Sequence, residues 1–203
     1  MSEIVLATRN RGKVREIKGC LEREGWRAYS LEDFPEVGEV EEKGDTFTEN
    51  ALSKARTVAR LTGRPALADD SGLEVDALDG KPGVLSARFA GQGATDEENN
   101  EKLLELLEGV PPERRGASFR CVLAIVWPSG EERIIEEDCR GMITSERRGT
   151  GGFGYDPLFF FPPLGKTFAE LDQDEKNRVS HRGKALRRLK DVLRQEGEEG
   201  RSL

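Results

Sequence analysis

The apolar positions change period along the chain, and the changes mark out its elements. Glu3–Thr8 has Ile4, Val5 and Leu6 at its centre and predicts a short buried strand. After the polar stretch Arg9–Gly12, the pattern shifts to helical spacing. Val14, Ile17, Cys20 and Leu21 fall on one face of a helix over Lys13–Glu24, with Gly25 as its stop. Trp26–Leu31 predicts the next strand, so the chain opens β-loop-α-β, the start of an α/β fold. Phe34–Asp45 is acidic and turn-rich and predicts a loop or edge segment.

Thr46, with Glu49 three residues on, forms a capping box for a helix over Phe47–Leu61. The stripe Ala51, Leu52, Ala55, Val58 and Ala59 supports it, and Gly63–Pro65 ends it. Ala66–Ala68 reads as a short buried strand with Asp69, Asp70, Ser71 and Gly72 at its C-terminal end. Gly80–Gly93 predicts irregular backbone. Thr95 or Asp96 caps a helix over Glu97–Glu108. Ser118–Trp127 and Glu131–Ile143 predict two long strands joined by a turn at Pro128–Gly130. A last helix spans about Ser180–Gln195, and Glu196–Leu203 reads as a frayed tail.

Composition changes this picture little. The chain has 203 residues, enough for one domain or two lobes sharing a core. Charged residues are 35%, but apolar runs such as Cys121–Trp127 and Leu158–Phe161 need burial and exclude a disordered chain. A net charge of −7 argues against a nucleic-acid coat, although an acidic protein can still concentrate lysines at a small anion. The three cysteines, Cys20, Cys121 and Cys139, lack metal-ligand spacing and exclude a disulfide scaffold. No apolar segment approaches the 18 residues that a membrane span needs, and no signal segment is present, so a cytoplasmic protein is expected.

Four segments carry candidate chemistry. Thr8, Arg9, Asn10, Arg11, Gly12 and Lys13 join a strand to a helix N-terminus, where unpaired N–H groups favour an anion. The segment is not a P-loop, and an ordinary βα turn explains it about as well. Glu41 and Glu42, with Asp69 and Asp70, offer the hard oxygen donors that magnesium prefers. Two adjacent carboxylates such as Asp69 and Asp70 repel, and call for a cation. Gly149–Asp156 embeds Phe153 and Tyr155 among glycines that allow close backbone approach, with Gly154 between them and Asp156 as an acceptor. Lys176, His181 and Arg182 could donate to a keto oxygen. His181 is the only histidine, which excludes a multi-histidine metal site.

Taken in order, these segments resemble the ITPase-like (Ham1 or RdgB) family of non-standard purine nucleoside triphosphate pyrophosphatases. The resemblance runs from Ile4 to about Leu193. It is carried by Leu6–Asn10 with Gly12 and Lys13, Gly44–Phe47 with Glu49–Ala51 and Lys54, and Ala68–Leu73. Pro82 and Gly83 with Ser86–Arg88, Gly149–Pro157 and Ser180–Gly183 complete it. Arg9 stands where relatives often have a small residue.

The resemblance implies an elongated α/β fold with a mixed sheet, two lobes and a central cleft. It implies a Mg²⁺-dependent homodimer that hydrolyses ITP, dITP and XTP between the α and β phosphates. Thr8, Asn10, Lys13, Lys54 and Ser71 would hold the triphosphate. Glu42 and Asp70 would hold magnesium, with Asp70 also the general base. Phe153, Gly154, Tyr155 and Asp156 would line the base pocket, and Lys176, His181 and Arg182 would read the purine edge. The alternatives are a pyrophosphatase for other modified nucleotides, or a nucleotide-binding module without turnover.

Overall fold

A computed structural model describes residues 2–38, 40 and 43–199. The chain forms two compact units. The first comprises Met1–Asp70, Val122–Glu136 and Ala185–Leu203, and the second Ser71–Cys121 and Glu137–Lys184.

Seven strands form one mixed sheet in the order β2-β1-β3-β4-β5-β6-β7. They are β1 (Glu3–Leu6), β2 (Arg27–Tyr29), β3 (Ala66–Val75), β4 (Gly116–Val126), β5 (Glu132–Ile143), β6 (Phe159–Phe161) and β7 (Lys166–Thr167). β1 pairs in parallel with β2 and β3, whereas β6 is antiparallel to β5 and β7.

The first unit follows the β-loop-α-β reading, with α1 (Arg11–Arg23) between β1 and β2. Ile17 and Leu21 bury its apolar face. α2 (Phe47–Thr62) begins with the expected capping box between Thr46 and Glu49 and ends at left-handed Gly63. Its inward face differs from the expected stripe. Lys54 is buried beside Ala51 and Ala55, while Leu52 is only half-buried. A lysine is almost never buried unless paired, so its partners become the question.

In the second unit, α3 (Asp96–Leu106) is capped by Thr95, with Glu98 closing the box. Leu73, Leu103, Phe119, Tyr155, Phe159 and Phe168 belong to one apolar core. Phe119 and Phe159 meet at 4.6 Å between ring centroids, and Phe159 and Phe168 at 4.7 Å.

Several boundaries depart from the expectations. β3 does not stop at Ala68 but runs to Val75, because Leu73 and Val75 bury their side chains in the second unit's core. The aspartates therefore lie within a strand, not in a turn after one. Leu31–Asp33 forms a 3₁₀ turn capped by Ser30, which shortens the second strand to Arg27–Tyr29. A short helix α4 (Gln173–Val179) precedes α5 (His181–Glu199), and α5 continues past Gln195 into the stretch expected to fray.

Candidate functional site

In the first unit the chemistry gathers where α1 and α2 meet β3. Asn10 is the N-cap of α1, its side chain accepting from the Lys13 amide at 3.1 Å. The Asn10 amide donates to Thr8 Oγ1 at 3.2 Å. The polar turn thus caps its own helix, as an ordinary βα turn does, and aims Lys13 at β3. Lys13 Nζ lies 2.6 Å from Asp69 Oδ1 and 3.3 Å from the Asp69 carbonyl oxygen. Lys54 Nζ lies 2.7 Å from Asp70 Oδ1 and 3.1 Å from the same carbonyl. Successive strand side chains point to opposite faces, so each carboxylate meets a lysine from a different helix. The cation that the adjacent aspartates call for is supplied here by two ammonium groups. Asp69 is fully buried and Asp70 is 6% exposed, which makes the pairing necessary.

The neighbouring expectations resolve unevenly. Arg9 turns away and donates to the Val37 carbonyl at 2.7 Å, holding the acidic loop rather than facing Lys13. Arg11 is exposed at the start of α1, Gly12 is half-buried in its first turn, and Ser71 is half-buried in β3. Glu41 and Glu42 lie outside the described residues. Sequence reasoning gave no role to Asn50, which is buried. It accepts from the Gly44 amide at 2.8 Å and donates to the Gly44 carbonyl at 3.3 Å, fixing the chain just after that acidic pair. The signal was an asparagine on the inward face of a helix, where it is unfavourable unless it bonds backbone.

In the second unit the glycine-rich loop is held residue by residue. The Phe153 amide donates to Asp156 Oδ2 at 2.8 Å. Lys176 Nζ donates to the same oxygen at 2.6 Å, and both side chains of that pair are nearly inaccessible. Over the Phe153 ring lie Lys176 Nζ, 4.7 Å from its centroid, and the Arg182 guanidinium at 5.5 Å. Phe153 is half-buried. Tyr155 differs. It is 4% exposed, packs in the core and donates its hydroxyl to the Ser86 carbonyl at 2.8 Å. Burial, then the nearby Asp96 carboxylate, pushes its phenol well above the ordinary range. It anchors the loop and has little face left to offer a base.

His181 opens α5, stacked on Phe119 at 4.7 Å and 14°, with Phe168 parallel at 6.5 Å. Gly183 is needed for the tight approach of α5 to α4. A Cβ there would stand 1.9 Å from the Asn177 carbonyl oxygen. That approach sets the buried Arg182 against Phe153.

Known sequences and solved structures resemble this chain over nearly its whole length. A sequence model of the Ham1 family matches residues 4–192. The dITP/XTP pyrophosphatase of Geobacter sulfurreducens is 57% identical over 197 residues, covering 97% of this chain and 99% of that protein. The dITP/XTP pyrophosphatase of Desulforamulus reducens is 55% identical, with 94% and 95% covered. Among solved structures, a Ham1 protein from Coxiella burnetii matches with a TM-score of 0.88 and 46% identity, over 96% of this chain and all of that one. The Ham1 protein of Staphylococcus aureus gives 0.86 and 39%, over the same shares.

Proposed function

This chain belongs to the Ham1 family, and from that premise we propose that it is a dITP/XTP pyrophosphatase. It hydrolyses non-standard purine nucleoside triphosphates, ITP included, between the α and β phosphates, and releases the monophosphate and pyrophosphate. The observation that carries the reading is the quartet Lys13, Lys54, Asp69 and Asp70, two buried or nearly buried ammoniums held on two buried carboxylates.

Each member has a task that anhydride hydrolysis requires. Charge on the phosphates must be neutralised and a water aimed. Lys13 and Lys54 supply positive charge at fixed places, because α1 and α2 set their backbones and the aspartates set their tips. Asp70 is the general base and receives the proton of the attacking water as the α–β anhydride bond breaks. Asp69 holds Lys13.

The donor set fits magnesium. The ion takes one or two carboxylates together with phosphate and water, and Asp70 offers one such carboxylate, with Glu42 as its expected companion. When bound it would supply Lewis acidity toward the phosphate oxygens and a more acidic water.

In the second unit, a six-keto purine would find donors in Lys176 and Arg182 beside the Phe153 ring. Adenine would set its amino group against those donors, and such mismatches discriminate by several powers of ten. Two further parts of the reading are a homodimer, which rests on the family resemblance alone, and a cytoplasmic location, which is the expectation from the sequence. Among the described residues no helix is long and apolar enough to cross a membrane.

The test is pyrophosphate release from ITP, XTP, GTP, ATP and dTTP, with and without Mg²⁺. Release from ITP and XTP that needs Mg²⁺ and is lost in Asp70→Asn, with ITP binding retained, is expected. Near-normal turnover in Asp70→Asn would remove Asp70 as base and ligand. No release from any nucleotide by the unaltered protein would remove the activity.

A further inference from the structure

We infer that Asp96 and Asn100 of α3 are positioning residues for nucleobase recognition, acting through Gly154. The inference rests on the base-reading role proposed above for Phe153. The two residues are four apart on α3 and so share one face of the helix. The Gly154 amide donates to Asp96 Oδ2 at 2.6 Å. Asn100 Nδ2 donates to the Gly154 carbonyl at 2.9 Å, and also to the Asp96 carbonyl at 2.7 Å. Both backbone groups of one residue are thereby tied to one helical turn. Gly154 has φ of +61°, a conformation that glycine adopts at no steric penalty.

The position of Gly154 in the loop gives the clamp its meaning. It directly follows Phe153, whose ring carries Lys176 and Arg182, and it precedes Tyr155 and Asp156. Phe153 is tied through its own amide to Asp156, and Tyr155 through its hydroxyl to Ser86. Without α3, the peptide between these anchors could rotate and carry the Phe153 ring with it. With α3, the plane of that ring is set before a base arrives, which is how pre-organisation raises affinity.

Asn100 holds its place despite one unfavourable feature. It is 3% exposed, and its Oδ1 is buried with no hydrogen-bond partner among the described residues. That unsatisfied acceptor is unfavourable, and the residue is kept in place by what its amide nitrogen does for the Gly154 carbonyl. Its neighbours do other work on the same helix. Asn99 accepts from the Ala90 amide at 2.8 Å, and Lys102 donates to the Phe89 carbonyl at 2.6 Å.

The experiment measures kcat and KM for ITP, together with thermal midpoints, in the unaltered protein and in Asn100→Ala, Asp96→Ala and Asp96→Asn. Asp96 is exposed, so its variants decide the matter if Asn100→Ala fails to fold. Positioning of the base predicts a KM for ITP raised about tenfold in both alanine variants, with kcat held within about threefold. It also predicts that Asp96→Asn, which keeps an acceptor for the Gly154 amide, stays near the unaltered KM. An unchanged KM in Asp96→Ala overturns the inference, as does a fall in kcat that tracks a lower thermal midpoint at constant KM. Absence of ITP turnover in the unaltered protein is a different result, and removes the proposed function itself.

Discussion

Lys176→Met is the perturbation whose size the structure best defines. Lys176 and Asp156 are 4% and 3% exposed, and Nζ lies 2.6 Å from Oδ2. Methionine keeps most of the stem and removes the charge, leaving the Asp156 carboxylate buried. Breaking a buried pair from one side costs roughly 3–5 kcal/mol. The Phe153 amide still donates to the same oxygen at 2.8 Å, which places the expected loss at the lower end, about 3 kcal/mol. For a chain of this length that corresponds to a fall in Tm of roughly 6–12 °C. Asp156→Asn combined with Lys176→Met removes both charges and leaves an acceptor for the Phe153 amide, so the double variant should regain at least half of the loss. The assay is thermal unfolding followed by circular dichroism at neutral pH for both single variants and the double. A fall of less than about 2 °C in Lys176→Met would refute the reasoning, and so would a double variant no more stable than that single one.

Other outcomes follow from the same geometry. On the phosphate-binding role proposed for it, Lys13→Ala should raise the KM for ITP about tenfold or more with a smaller change in kcat, because such an ammonium would serve ground and transition states alike; steady-state kinetics checks it. Gly152→Ala should disturb the glycine-rich loop proposed to face the base, since Gly152 has φ of +74° and an added Cβ would clash with Asp156 Oδ2. A Tm lower by about 4 °C or more and a raised KM for ITP are expected, and normal values of both would count against the loop's stated geometry. Burial pushes the Cys139 thiol up to about 11, with Asp138 adding to the shift and Lys184 opposing it. At pH 8 only about 0.1% is thiolate, so a disulfide reagent should spare Cys139 in the native protein, and labelling should quicken tenfold per pH unit toward 11. The unfolded thiol ionises near 9.0, so between there and 11 the unfolded chain sheds a proton that the folded chain keeps, and the Cys139 contribution to stability falls as pH rises. Rapid labelling of Cys139 at pH 8 would contradict its burial.

How much of this was legible in the sequence depends on whether a residue's partner is local. Thr46 and Glu49 are bonded three residues apart, and α2 starts where that spacing puts it; for α3 the sequence left Thr95 and Asp96 open as caps, and Thr95 is the cap. The strand–helix–strand opening reads equally well, because β1 and α1 each bury a contiguous apolar pattern. The extent of β3 was not legible, since Asp69, Asp70, Ser71 and Gly72 look like a turn until Lys13 and Lys54 arrive from 56 and 16 residues away. α4 carries a local signal in Asp172 and Glu175, but its seven residues hold too little apolar periodicity to stand out. In the candidate site, residue types were legible and facings were not. Arg9 belongs to a phosphate-like turn by sequence and bonds the Val37 carbonyl instead. Tyr155 is an aromatic residue among glycines by sequence and a core residue in the fold. Asp96 and Asn100 look like one solvated helical face because Gly154 is more than fifty residues away.

The two clusters solve one electrostatic problem in the same way. An acidic chain of net charge −7 that acts on a polyanion needs positive charge at fixed points, and a fixed lysine is a desolvated lysine. Each of these ammoniums, buried or nearly so, is seated on a buried aspartate: Lys13 on Asp69, Lys54 on Asp70 and Lys176 on Asp156. The aspartates keep the unliganded protein free of uncompensated charge, and they hold each ammonium in one geometry so that little reorganisation remains for the moment of reaction. In the first cluster both lysines also share the Asp69 carbonyl, which brings two like charges close together. Like charges so placed are favourable only beside extra negative charge, so the pair of carboxylates is as necessary to the lysines as the lysines are to the phosphates. Asp69 or Asp156 replaced by alanine should therefore weaken the protein and its substrate binding together, because each is the seat of one ammonium.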